Sequence, residues 1–430
     1  MADAGPPGVI VAGAGIAGLT TALAFASKGQ RVRVFEQAAR LEEVGAGLQL
    51  SPNATRILSR LGVLGRILPH AVQPAAVLLK DAVSLRLLAR IPLGEIAEDR
   101  WKAPYLVVHR ADLQRALLAA VAETPGIEIV TAAAVTDFQA GPDGPAITMT
   151  TAEGVRHERG ALIVGADGVW SRLRSWCGGA ESRFAGEIAW RTTIERASTA
   201  GFAFDALTSS DCVTTFLNPA FHLVAYPVRA GAAVNLVAFT KGGIAKGGKA
   251  KGDGAKGDGA KGDGTARDWA ARADSAELLD HLQGADRMLL DIVKQAGPWT
   301  AWPLHTVNAA SGWFRPDGLV LVGDAAHAMT PFAAQGAAMA IEDAATLADC
   351  ILPGDSSAAS DLSGRLQRWE RLRRPRVAKV ARRGALNHLA WHAAGPVALA
   401  RNFLLSHRSP EKLAADLDWL YGDESVGSRQ

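Results

Sequence analysis

The stretch GVIVAGAGIAGLTTALAFASKGQRVRVFE, Gly8 to Glu36, decides the fold. It reads as a strand, a glycine turn, a helix closed by Gly29 as C-cap, and a second strand, RVRVFE: a βαβ unit. Gly13, Gly15 and Gly18 form G-x-G-x-x-G between strand and helix, with Ala22 one turn on and Glu36 ending the second strand. Gly13 permits the tight turn, Gly15 lets a pyrophosphate approach the backbone, and Gly18 with Ala22 lets helix and sheet pack closely. Glu36 can accept both ribose hydroxyls and would repel a 2′-phosphate, so the pattern implies FAD or NAD. The run Val9 to Ser27 is uncharged and approaches the length of a spanning helix. Its turn-spaced glycines, with no basic segment before it, argue for a soluble protein and against a membrane.

The chain has 430 residues, 48% of them hydrophobic, enough for two or three packed domains. With 46 basic against 43 acidic residues the net charge is only +3, so no global field argues for nucleic acid or an anionic membrane. Cys177, Cys212 and Cys350 are few and far apart, without metal-ligand spacing, which fits a cytoplasmic protein and no metal.

Further along, SPNATRILSRLG reads as a helix with Ser51 as N-cap and Pro52 at its first position, and HRADLQRALLAAV as another. From Gly186 to Phe239 the pattern changes to strands, EIAWRTTIE and a hairpin FHLVAYPVRAGAAVNLVAFT turning at Gly231. The segment KGDGAKGDGAKGDG repeats every five residues with nothing apolar to bury, and reads as a flexible surface insertion. Its formal G-x-G-x-x-G match has no helix after it. Long helices follow from about Gln335, and the basic RWERLRRPRVAKVARRG reads as a solvated helix face.

Two more glycine–aspartate turns separate FAD from NAD. ALIVGADGVWSRLR is a strand ending in Gly165, Asp167 and Gly168; LVLVGDAAHAMTPFAAQGAAMAIEDA is a strand ending in Gly323-Asp324. With these three segments in this order, the chain resembles the group A FAD-dependent aromatic monooxygenases, the p-hydroxybenzoate hydroxylase superfamily. It is most similar to the salicylate hydroxylase and 3-hydroxybenzoate 6-hydroxylase branch, through EVGAGLQLSPNATRILSRLG, VHRADL, HLVAYPVRAG, WPLHTV and WLYGD. The likeness covers nearly the whole length, and the KGDG segment departs from it.

The resemblance implies an α/β fold: a glutathione-reductase-type, Rossmann-like FAD-binding domain with an inserted β-sheet substrate domain and a helical C-terminal region. The corresponding division is 1–75, 105–185 and 300–380 for FAD; 76–104 and 186–299 for substrate, with the repeat at 242–264; and 381–430 for the C-terminal helices. It implies that Asp324 accepts ribityl hydroxyls, that Pro331 to Gly336 face the isoalloxazine, and that the helix from Gly336 points N–H groups at the flavin's pyrimidine edge. Asp167 supports FAD, Arg110 its phosphates, Gln49 lies in a loop beside the flavin, and His327 is structural. NADH or NADPH, lacking a domain of its own, visits and leaves.

In FHLVAYPV, His222 and Tyr226 share a strand face with Cα atoms roughly 13 Å apart at about 3.3 Å per residue, and one aromatic ring fits between their tips. The resemblance implies that His222 polarises or deprotonates a substrate phenol, while Tyr226 is either a core aromatic or pocket lining. Trp190 and Arg191 are candidates for the same wall, with nothing to assign Arg191 to a carboxylate. The implied reaction uses NAD(P)H and O2 to hydroxylate a small hydroxylated aromatic acid through a flavin C4a-hydroperoxide, in a monomer or homodimer. The rivals are the same chemistry on a quinone precursor, polyketide or antibiotic; a flavin-dependent halogenase, whose W-x-W-x-I-P is absent; and a flavin-free binding protein on this fold, such as the Rab GDP dissociation inhibitors.

Overall fold

The computed structural model describes residues 8–41, 46–209, 211–242, 271–352 and 361–422. The KGDG repeat therefore lies outside the described residues, apart from Gly242.

A six-stranded sheet carries the N-terminal βαβ unit. Its order is Phe314–Arg315, Leu319–Leu321, Leu162–Gly165, Val9–Ala12, Val32–Phe35 and Ile127–Val130, all parallel except the first. Both faces are covered, so the strands are continuous apolar runs, with Val11, Val34, Val164 and Val320 fully buried. The uncharged run suspected of spanning length divides into strand Val9–Ala12 and an 11-residue helix, Ile16–Ala26. No helix among the described residues is long and apolar enough to cross a membrane. Helix Ile16–Ala26 ends earlier than the sequence suggested: Ser27 caps it, and Gly29 takes a positive φ of 77° in the turn beyond.

That helix lies against the sheet and against helix Gly336–Ile351. A Cβ at Gly18 would sit 1.9 Å from the Gly13 carbonyl oxygen, so the close approach leaves no room for a side chain. Gly18→Ala is expected to force the helix off the turn and leave most of the purified protein without flavin, read as the ratio of flavin to protein absorbance.

The second large sheet has eight strands, in the order Ala271–Ala273, Trp299–Thr306, Arg183–Glu195, Ala233–Lys241, Phe221–Val228, Cys212–Leu217, Ala76–Asp81 and Leu87–Pro92. The hairpin Phe221–Val228 and Ala233–Lys241 turns through Arg229–Gly231, pairing His222 with Phe239 and Tyr226 with Asn235. Strand Trp299–Thr306 pairs with Arg183–Glu195. We propose on this ground that the boundary of the substrate part falls after Thr306, not at residue 300.

Two sequence expectations change. Ser51 precedes helix Pro52–Arg60, but its hydroxyl makes no cap bond. It donates instead to Asn53 Oδ1 (2.6 Å) and accepts from Gln335 Nε2 (2.9 Å), tying this helix to the head of Gly336–Ile351. The basic segment lies in the 30-residue helix Leu362–Trp391, yet Arg373 is 1% exposed and Arg376 also turns inward, because Glu342 and Asp343 wait on the neighbouring helix.

Candidate functional site

Helix Gly336–Ile351 places Glu342 and Asp343 beneath the third turn. Asp343 Oδ2 accepts from the Gly323 backbone N–H (2.9 Å) and from His327 Nε2 (2.6 Å), while its Oδ1 accepts from Arg373 Nε (2.8 Å). Glu342 takes Arg373, Arg376 and Asn53. Burial opposes both charges, but His327 and Arg373 at Asp343, and Arg373 and Arg376 at Glu342, hold the two carboxyls below their ordinary values. The His327 side chain thus buttresses Asp343, which holds the N–H of Gly323, whose φ of +59° favours glycine, and so fixes where Asp324 begins. Asp324 itself is exposed toward a cavity.

Arg174 joins the second turn to the third. Its guanidinium, buried with the residue at 3% exposure, donates to the carbonyls of Val169 (2.7 Å), Gly168 (3.2 Å), Ala325 (2.8 Å) and Asp324 (3.3 Å). Asp167 accepts from Arg172 N–H (2.9 Å), its Oδ1 has no partner, and burial pushes its carboxyl up.

One cavity of about 1120 Å³ runs past these turns to the large sheet. Gly15, Gln49, Arg110, Asp324, Pro331 and Gly336 line it, together with His222 and Tyr226. Gly13, Gly18, Glu36 and Asp167 are not among the residues that line it, although Glu36 and Asp167 are both partly exposed. Glu36 accepts the Ala14 N–H (2.8 Å) and the Ala38 N–H (2.9 Å), one on each oxygen, leaving lone pairs for hydroxyls. The donor set fits an extended dinucleotide. A Cβ on Gly15 would meet nothing within 4 Å, so the ground before the first turn is open, and Asp324 and the head of a 16-residue helix face the same space.

At the far end His222 is fully buried, stacked on Phe239 with ring centroids 4.5 Å apart and enclosed by Phe332 (5.4 Å) and Trp391 (4.9 Å). The space that the sequence left for a substrate ring beside His222 is thus bordered by the protein's own rings, with His222 still among the residues that line the cavity. Nε2 has no partner, while Nδ1 lies 3.1 Å from His392 Nε2. Burial first, then His392 and His388, drive the His222 pKa well down. Tyr226 is 3% exposed, and burial raises its phenol against the pull of Arg191.

Sequence reasoning missed Tyr105 on the cavity wall, and His388 and His392 beside His222. Tyr105 donates to Gln49 Oε1 (2.5 Å), and VHRADL, which begins three residues on, pointed to this neighbourhood. Arg191, which the sequence did offer for this wall, lines the cavity; burial pulls its guanidinium below the ordinary value, and its Nε has no partner. His388, in the last turn of helix Leu362–Trp391, and His392, its C-cap, are four apart, a spacing visible in HLAWH, and with Glu187 each brings one ligand atom to within 4.8 Å of the others.

A family described as FAD binding domain matches residues 8–214 and 263–384. A 3-hydroxybenzoate 6-hydroxylase from Polaromonas naphthalenivorans is 30% identical over 417 residues, covering 96% of this chain and 95% of the relative. A 3-amino-4-hydroxybenzoate 2-monooxygenase from Streptomyces platensis is 33% identical over 426 residues, 98% of each. A solved salicylate hydroxylase substrate complex superposes with a TM-score of 0.76 at 21% identity, over 98% of this chain and 96% of that one, a likeness of fold.

Proposed function

Because this chain belongs to the FAD-dependent aromatic monooxygenases of the p-hydroxybenzoate hydroxylase type, we propose that it hydroxylates a small hydroxylated aromatic acid, with His222 taking the substrate's phenolic proton. FAD, when bound, takes electrons from NAD(P)H and activates O2 so that one oxygen atom can be transferred to the ring. Gly15 leaves room for the pyrophosphate, Glu36 accepts ribose hydroxyls and Asp324 ribityl hydroxyls. Arg110, Gln49, Asp167, Pro331 and the N–H groups at Gly336 complete the hold.

The observation that carries the reading is the unpartnered, water-shielded Nε2 of His222 at the end of the cavity that Asp324 and Gly336 also line. A lone pair there can accept a phenolic proton, and the phenolate pushes electron density into the ring carbon under attack. Phe239, Phe332 and Trp391 keep bulk water from the reacting atoms. We propose Arg191 as the cation for the substrate's carboxylate: it is a guanidinium on the same wall with an unused donor, and charge-assisted pairing is strong where water is excluded.

The test is a panel of hydroxybenzoates and hydroxypyridine acids, scored for faster NAD(P)H oxidation together with recovered hydroxylated product. At least one acid is expected to give both; acceleration without product in every case rejects the hydroxylation. For that acid, Arg191→Gln is expected to raise KM about 10-fold or more, while KM for the matching phenol without a carboxylate stays unchanged. A bulkier aromatic substrate is the second reading, favoured by the apolar outer wall on helix Gly395–His407, where Val397 and Leu404 are 64% and 61% exposed.

A further inference from the structure

The long C-terminal helix Leu362–Trp391 and its cap residue bring a second and a third imidazole to the back of His222. His392 Nδ1 lies 3.0 Å from the backbone carbonyl of His388. A carbonyl only accepts, so the proton of neutral His392 sits on Nδ1 and its Nε2 carries a lone pair. That lone pair faces His222 Nδ1 at 3.1 Å, and the contact is a hydrogen bond only if His222 Nδ1 donates. The proton of neutral His222 is then on Nδ1, which leaves Nε2, the nitrogen without a partner, as a free base.

We propose that His392 fixes the tautomer of His222 and receives its proton, making the two rings a relay that carries the phenolic proton away from the buried end of the cavity. This rests on His222 being the group that meets the phenol. As the phenolic O–H breaks, its proton bonds to His222 Nε2; the Nδ1–H of His222 breaks and its proton bonds to His392 Nε2. The products are phenolate, neutral His222 and a His392 imidazolium.

His392 is partly exposed, whereas His222 is sealed, so the proton moves from a site without water to one that water reaches. His388 packs against His392 with centroids 4.3 Å apart and planes tilted by 59°, and its Nε2 is 2.7 Å from Glu187 Oε1, which sets a carboxylate close to the new cation. Lys241, from the hairpin, opposes that cation, as does any charge on His388. Burial first, then His388, bring the His392 pKa down to about 4, so the relay is unloaded at neutral pH. A metal ion at Glu187, His388 and His392 would need a ring nitrogen of His392, and both are already engaged, Nδ1 with the His388 carbonyl and Nε2 with His222. The relay accounts for both contacts of His392, and a metal does not.

Two measurements test it. The first uses the FAD-loaded protein without substrate, labelled with ¹⁵N-histidine, in which ring nitrogen shifts report the tautomers and His222→Gln and His392→Gln assign them. Both rings are expected to carry their proton on Nδ1 at pH 7; a proton on His222 Nε2 overturns the proposal. The second compares His392→Gln, which can still accept from His222 but cannot take a proton, with His392→Ala, which can do neither.

With the best acid from the panel, kcat of His392→Gln is expected to fall about 10-fold or more with FAD content and the His222 tautomer unchanged. The acidic limb of its kcat/KM profile moves to higher pH, since one of the charges holding His222 low is gone. His392→Ala loses the tautomer as well. A His392→Gln enzyme that turns over like wild type overturns the relay. If no acid in the panel is hydroxylated, the functional reading fails, while the nitrogen shifts still decide the tautomer.

Discussion

Arg373→Ala is expected to destabilise the protein by about 3–5 kcal/mol, read by chemical denaturation. The guanidinium is 1% exposed and pairs with Glu342 at 2.5 Å and Asp343 at 2.8 Å, both carboxylates being as buried as it is. Removing it leaves two anions out of water, with His327 and the Gly323 N–H the remaining partners of one and Arg376 and Asn53 of the other. The pH dependence follows in sign. In the folded protein both carboxyls lie below their ordinary values, so their stabilisation is present above roughly pH 4 and is lost as pH falls through the lowered values. Without Arg373 those values rise, and acid unfolding is expected to begin at higher pH than in wild type. An acid transition that does not move would show that the carboxylates are held down by something other than this arginine.

His222→Ala and Asp324→Ala are expected to have crossed effects. Loss of the imidazole removes the proton acceptor and should lower kcat about 100- to 10,000-fold, with flavin content close to wild type. His222 is remote from the glycine turns, and its neighbours are Phe239, Phe332, Trp391 and His392. Asp324 has the opposite place: its turn is held by Asp343 and Arg174 whatever its own side chain, and its exposed carboxylate faces the cavity. Asp324→Ala should therefore fold normally and purify largely colourless, with residual turnover restored by excess FAD. Flavin absorbance per protein, measured beside turnover, separates the two. Equal turnover in His222→Ala and wild type would remove the base from the proposal.

The parts of this molecule legible in its sequence are those whose cause is local. A strand, a glycine turn and a helix follow one another within 29 residues, so hydrophobic period and glycine spacing reveal the unit and the cofactor class together. The strand entering Gly323-Asp324 and the hairpin holding His222 and Tyr226 are local in the same sense. What stayed hidden depends on partners distant in the chain. Arg373 looks solvated until Glu342 and Asp343, 31 and 30 residues earlier, are seen on the adjacent helix. His392 meets His222 across 170 residues, and the four-residue spacing from His388 gives no hint of which strand the helix crosses. Ser51 carries every mark of an N-cap, yet its hydroxyl serves Asn53 and Gln335, a choice set by packing and not by the helix it begins.

The four carbonyls gathered on Arg174 carry a consequence for how the cofactor is captured. Two turns some 150 residues apart are riveted to a single planar fork, so their relative position is settled when the chain folds. An arriving dinucleotide then meets a mould already cast, and little of its affinity is consumed in ordering backbone.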